Sequence, residues 1–155
     1  MIRHGVYAAA AALMSCSPQA AVPAPLERSP AGLEQVALTI RSSGKTHRFT
    51  VEVARTPQEQ QRGLMFRESL APDRGMIFPY DPPQPVAFWM QNTLIPLDMI
   101  FIRADGTIAN IAENTVPLSL ESVPSAGDVA AVLEIAGGRS AQLGLKAGDT
   151  VDWPH

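Results

Sequence analysis

The side chains with chemistry to offer sit in a few short stretches of the chain. Phe88-Trp89-Met90-Gln91-Asn92-Thr93 runs into Ile95-Pro96-Leu97-Asp98-Met99-Ile100-Phe101, which places an indole, an amide and a carboxylate close together. Asp98 begins a run of Ile and Phe. If that run is a strand, Leu97, Met99 and Phe101 share one face and Asp98, Ile100 and Ile102 the other. Both faces are apolar, so the strand is expected to be covered on both. Val129 to Ala136 repeats the pattern, with Glu134 set among Ala130, Val132 and Ala136. A buried carboxylate without a partner costs several kcal/mol, so each must be paired, hydrogen-bonded or protonated. Arg62 and Arg67 are the expected partners, because guanidinium meets carboxylate with a planar fork that Lys lacks.

Two chemistries follow. Asp98 and Glu134 facing one cleft would divide acid and base roles, as in glycoside cleavage. Alternatively Arg62, Arg67, Trp89, Asn92 and Asp98 would line a non-catalytic binding cleft. There Trp89 stacks on a ligand, Asn92 hydrogen-bonds it, and the Arg residues hold an anionic group or position Asp98. The simpler alternative is a structural ion pair, with Trp89 capping one end of the fold. Met65, Met76, Met90 and Met99 have thioethers that suit Cu(I), but they are scattered among apolar neighbours, which suits core packing better. No Cys/His metal spacing, phosphate-cradling Gly loop or serine-nucleophile elbow is present, and neither a metal nor a cofactor is expected. Leu64-Met65-Phe66 with Leu70 either closes the fold or forms an apolar patch for a partner.

The elements that must position these residues are mostly strands. Val36 to Ile40 and Phe49 to Val53 flank the turn Ser42-Ser43-Gly44-Lys45 and read as a hairpin. Thr56-Pro57-Gln58-Glu59 is a capping box with Pro at the first helical position, and Gly63 limits the helix to about two turns, ending near Arg62. Met76 to Phe78 and Val86 to Met90 are short apolar segments separated by Pro79 and Pro82-Pro83. Leu97 to Arg103 and Thr107 to Ala112 flank Ala104-Asp105-Gly106, an Asp-Gly hairpin signal. Residues 113–127 form a long loop that is functional or mobile. Val129 to Ala136 is a buried strand, Ser140 to Leu143 a helical turn, and Thr150 to Trp153 a last strand. The expectation is a mainly β domain, a compact small barrel or sandwich with one or two short helices.

The chain of 155 residues has 46% apolar and 17% charged residues, enough for one core. A formal charge of −3 without a Lys/Arg stripe argues against nucleic-acid binding. Residues 1–16 read as a signal peptide, with a basic start followed by the apolar core Val6 to Met14, too short to span a bilayer. Leu13-Met14-Ser15-Cys16 resembles a lipobox whose Cys16 becomes a lipidated mature N-terminus anchored to the membrane. The alternative is ordinary secretory cleavage. Residues 17–33, rich in Pro, Ala and Ser, read as a tether, and 34–155 as one β-rich domain. Either way the domain is expected on the periplasmic side of a bacterial membrane, serving an unknown small ligand or envelope protein. With a single cysteine it has no internal disulfide.

Arg62-Gly63-Leu64-Met65-Phe66-Arg67, Arg74-Gly75-Met76-Ile77-Phe78, Phe88 to Thr93, Ile95 to Phe101, Val132 to Gly138 and Gly148-Asp149 occur in this order. In that order and spacing the chain resembles the bacterial and archaeal domain-of-unknown-function family 192, over roughly Val36 to Trp153. The resemblance implies a small, mainly β, commonly exported domain, and brings no activity with it. Many relatives carry a Cys after the Pro of the loop at Pro117 and an aromatic before the Val-Leu-Glu motif. Here Leu118 and Ala131 stand there, so no role of that Cys or aromatic carries over.

Overall fold

The computed structural model describes residues 27–155. The signal peptide, Cys16 and most of the tether lie outside the described residues. Ser29 to Leu33, the end of the expected tether, forms a hydrogen-bonded turn in which the Ser29 N–H donates to the Leu33 carbonyl at 2.9 Å.

Nine strands and two short helices follow in the order β1 (Gln35–Ser42), β2 (Lys45–Val53), α1 (Pro57–Arg62), β3 (Arg74–Gln84), β4 (Ala87–Phe88), β5 (Leu97–Ile102), β6 (Ile108–Ala112), β7 (Val123–Pro124), β8 (Val129–Ala136), α2 (Arg139–Leu143) and β9 (Thr150–Asp152). Seven strands make one curled sheet in the order β6-β5-β8-β3-β2-β1-β9, while β4 and β7 pair separately. A bridge between Thr107 and Thr150, with the Val151 N–H donating to the Gly106 carbonyl at 2.8 Å, brings the two edges together. The mainly β, barrel-like expectation therefore holds.

Both faces of the sheet are apolar, as the sequence of β5 and β8 demands. One face packs Leu38, Ile40, Val51, Ile77, Ile100, Leu133 and Ile135 inside the curl. The other packs Met76, Phe78, Leu97, Met99, Phe101 and Val132 beneath α1 and the loops. Each such buried side chain contributes about 1.5–3 kcal/mol, so the two layers together are the main source of stability.

Two departures from the sequence reading matter for the site. β3 does not stop at Pro79. It runs on to Gln84 beside β8, with an irregularity between Pro79 and Gln84, which is where prolines fit because the ladder there needs no donor. Also, β2 and β3 pair in parallel, Thr50 to Val53 against Arg74 to Ile77. A parallel pair needs a crossover, and that crossover carries α1 over the outer face of the sheet.

Candidate functional site

The short helix owes its position to local chemistry. The Thr56 hydroxyl accepts from the Glu59 N–H at 3.2 Å, and the Glu59 carboxylate accepts from the N–H groups of Thr56 at 2.8 Å and Arg55 at 2.9 Å. The Thr56 N–H above all holds the Glu59 carboxyl below its ordinary range. The Gln60 amide donates to the carbonyls of Ala54 and Pro79, at 3.2 and 3.0 Å, tying α1 to the end of β2 and the middle of β3. Gly63 ends the helix at φ 46°, where a Cβ would come within 3.3 Å of the Phe78 ring.

Opposite this wall stands the segment 87–93. Phe88 meets Phe78 edge to face with ring centroids 5.1 Å apart and Phe101 at 6.3 Å. Alternation holds here, since Phe88 and Met90 pack inward while Trp89 turns out and is 51% exposed. The Phe66 N–H donates to the Asn92 carbonyl at 2.8 Å, which joins the two walls at one end.

Between the walls lies a cleft of about 160 Å³. Arg62, Met65, Tyr80, Phe88, Trp89 and Glu134 are among its lining residues. Glu134 is only 5% exposed and therefore deep, whereas Arg62 and Trp89 are exposed at the mouth. Among the described residues no group hydrogen-bonds the Glu134 carboxyl, and burial alone pushes it up to about 8. At neutral pH it is therefore mostly an uncharged acid. Tyr80 is pushed up to about 12, chiefly by burial and secondarily by Glu134, so its phenol stays protonated.

Asp98 lies elsewhere. Met99 pairs across the ladder with Glu134, and Asp98 with Ile135, so the two carboxylates project from opposite faces of the sheet. Asp98 is fully buried. One of its oxygens accepts from the N–H groups of Asn114 at 2.7 Å and Gly138 at 2.8 Å, and the other from the Ser140 N–H at 2.6 Å. It is a backbone clamp that ties β5 to the 113–116 loop and the Gly137-Gly138 turn. The pairing of Asp98 with Arg62 or Arg67 is thus corrected, and so is its place in a binding cleft. A hydrolase built on Asp98 and Glu134 is excluded with it, because the two never face one space.

Arg67 does neutralise a buried carboxylate, but that of Glu52. Glu52, Met76, Glu134 and Met99 form one row across β2, β3, β8 and β5 on the outer face. The guanidinium arrives from the segment after α1, as expected, and stops two strands short of Glu134. Sequence reasoning missed Glu52 because its strand reads as polar on that side. Only the parallel register shows that Arg67 and the 64–70 segment cover it. Arg62 makes no ion pair among the described residues. Asn92 is exposed, and its amide contacts only the Met65 sulfur at 3.8 Å. The structure thus brings Arg62, Trp89 and Glu134 to one cleft and leaves Arg67, Asn92 and Asp98 outside its lining.

A larger cavity of about 550 Å³ opens near Ile102, Ala131 and Trp153. Three of its charged groups, Arg55, Arg103 and Asp105, are engaged, while Asp81 and Asp152 also line it. Arg55 pairs with Glu34 at 3.0 Å, Arg103 donates to the Ile108 carbonyl, and Asp105 accepts from Thr107. The Glu134 cleft is the better candidate because its deep carboxyl has no partner among the described residues. No group of three potential metal-ligating His, Cys, Asp or Glu side chains occurs among the described residues.

A model of the family DUF192, described as "Uncharacterized ACR", matches residues 38–153. No curated protein matches the chain. A crystal structure of a protein of unknown function from Novosphingobium aromaticivorans DSM 12444 is 47% identical, with a TM-score of 0.81, over 84% of this chain and 94% of that one. A second, from Sinorhizobium meliloti 1021, carries the provisional name of a transcription regulator. It is 42% identical, with a TM-score of 0.76, over 78% of this chain and 95% of that one.

Proposed function

The chain belongs to the DUF192 family, and from that premise we propose that it is a non-enzymatic binding module of the cell envelope whose ligand enters the cleft between α1 and residues 87–93. One observation carries this reading. A carboxyl that is 5% exposed, with no protein partner, lies at depth in an open cleft whose mouth holds an outward-turned Trp89. Among the described residues the enclosed unpartnered side-chain atoms are His47 Nε2 and Ser140 Oγ, so the Glu134 carboxyl opens on the cleft, where a ligand group can pair with it. The size of the cleft sets the scale of the occupant. A cavity near 150 Å³ holds a molecule the size of benzene, so one compact group fits and an oligosaccharide does not. The apolar core and Cys16 of the first 16 residues support export and lipid anchoring.

Trp89 and Trp153 are the only two tryptophans, which makes a direct test possible. Fluorine NMR of the 5-fluorotryptophan-labelled domain should show the Trp89 signal move, and the buried Trp153 signal stay, on adding one class among simple monosaccharides, amines, carboxylates and amino acids. Trp89→Ala should leave the unfolding free energy within about 0.5 kcal/mol and abolish binding. If no class moves Trp89 at millimolar concentration, the binding reading fails. Mass spectrometry of the mature N-terminus tests the anchor, because an unlipidated N-terminus near Pro25 would remove it.

A second reading rests on a separate observation. Phe66, Leu94, Val116, Leu118 and Leu120 are exposed near Trp89, on three loops held together by hydrogen bonds from the N–H groups of Phe66, Met90 and Leu118 to the carbonyls of Asn92, Ser119 and Thr93. Phe66 and Leu118 have φ of 65° and 63°. Bulky residues adopt that conformation at a cost of about 1–2 kcal/mol. This apolar rim favours contact with a partner protein.

A further inference from the structure

The cleft holds two unmatched groups of opposite character. Deep inside is the Glu134 carboxyl, and at the mouth is the Arg62 guanidinium, which among the described residues has no acidic partner. Between them stand aromatic surfaces, Phe88 and Tyr80 on the walls and Trp89 at the rim. Aromatic faces attract organic cations, and a desolvated carboxylate strengthens that attraction. A guanidinium offers a planar fork to a carboxylate.

We propose that the cleft binds a small zwitterion of the amino-acid type, its ammonium group seated against Glu134 and its carboxylate held by Arg62. The inference rests on the cleft reading above and narrows the ligand class. A neutral sugar would use the aromatic wall and leave both charged groups unmatched. An anion alone would meet Arg62 and put negative charge toward Glu134. A simple amine would satisfy Glu134 and face the Arg62 cation at the exit. A compact skeleton carrying both charges answers each group, and the cleft volume of about 160 Å³ admits one such molecule.

The seating step has a definite proton balance. The free site holds Glu134 as the uncharged acid at neutral pH. When the ammonium docks, Glu134 ionises, its proton leaves to solvent, and the complex holds a carboxylate–ammonium pair. The groups around Glu134 allow this. Tyr80 on β3 keeps its proton, and Arg62 on α1 is a cation. Residues 87–93 bring no titratable side chain. β5 presents only Leu97, Met99 and Phe101 on this face, since Asp98 points to the other. Glu52 lies on the same face beyond Met76, roughly 10 Å away across two strand spacings, and is paired with Arg67.

The test uses a series that samples the spacing of the two charges, namely glycine, β-alanine, 4-aminobutyrate and 6-aminohexanoate, with butylamine and butyrate as singly charged controls. Fluorine NMR at Trp89 reads binding, and calorimetry at pH 7 in two buffers of different ionisation enthalpy reads proton release. At least one zwitterion should bind about ten-fold more tightly than either control and release close to one proton. Glu134→Gln should abolish the proton release and bring the zwitterion down to the level of butyrate. Arg62→Gln should bring it down to the level of butylamine. If butylamine or butyrate binds as tightly as every zwitterion, or Glu134→Gln changes nothing, the inference is overturned while the cleft remains a binding site. If no compound of this or the wider panel moves Trp89, the inference and the binding reading fall together.

Discussion

Glu134 and Asp98 are both acids in strands that are apolar on two sides, and their fates are opposite. Asp98 is satisfied by three backbone N–H donors, while Glu134 has none among the described residues. Truncating Asp98 to Ala leaves those donors buried without an acceptor, so D98A should lower the unfolding free energy by about 3–5 kcal/mol in urea titrations. Unfolding at wild-type urea concentrations would show that the donors find other partners. Glu134 acts through pH. Its folded value near 8 lies above the ordinary 4.5, so the native state holds the proton more tightly than the unfolded chain. Stability from this group is therefore fully present below about pH 4.5 and is lost progressively as pH rises to 8. The loss should amount to a few kcal/mol in the wild type and be absent in Glu134→Gln, measured by urea unfolding from pH 4.5 to 9. Equal pH profiles for the two proteins would mean that Glu134 is ionised in the fold.

At the level of elements, α1 and its cap decide one wall of the cleft. Thr56→Ala removes the cap hydroxyl and should cost about 1 kcal/mol in chemical denaturation, with faster hydrogen exchange confined to residues 57–63. Exchange that quickens across the whole sheet instead would show α1 to be part of the global unit. This helix was legible in the sequence to its last residue, because a capping box and a terminal glycine are local signals. Strand alternation was legible too, since it sets Phe88 and Trp89 on opposite faces, but only the packing shows that Phe88 is the inward one and that Trp89 is exposed and does not cap an end. The pairing of strands was not. Nothing in β5 or β8 alone says that Met99, and not Asp98, lies opposite Glu134, and a shift of one residue exchanges the faces. The partners assigned to Arg62 and Arg67 failed for that reason. The idea that a guanidinium from beyond α1 reaches a buried acid was sound in kind. The parallel register of β2 and β3 gave it to Glu52. The continuation of β3 past Pro79 was also hidden, since a proline marks a strand edge or irregularity without saying which.

Across the whole molecule, the two-faced sheet sets a division of labour. The face inside the curl packs the larger apolar cluster, and it is the side to which Asp98 clamps the turn and the 113–116 loop. The outer face is covered by α1 and the loops, and this covering leaves the cleft over Glu134. Family membership fits this plan, because the stretches that carry the resemblance are the α1 exit, β3, the Phe88–Phe101 region and β8, the segments that build both faces. The pairing of β1 with β9 has a different consequence. They are antiparallel, with Thr39 opposite Asp152, so β9 runs toward the start of β1. Only a few residues at roughly 3.3 Å each separate Trp153 from Gln35. A rearranged gene that fuses the two by a short Gly-Ser linker and opens the exposed Ser43-Gly44 turn should give a protein with the same circular dichroism and cooperative melting. Aggregation of that permutant would show that the β1–β2 hairpin must form first for the sheet to assemble.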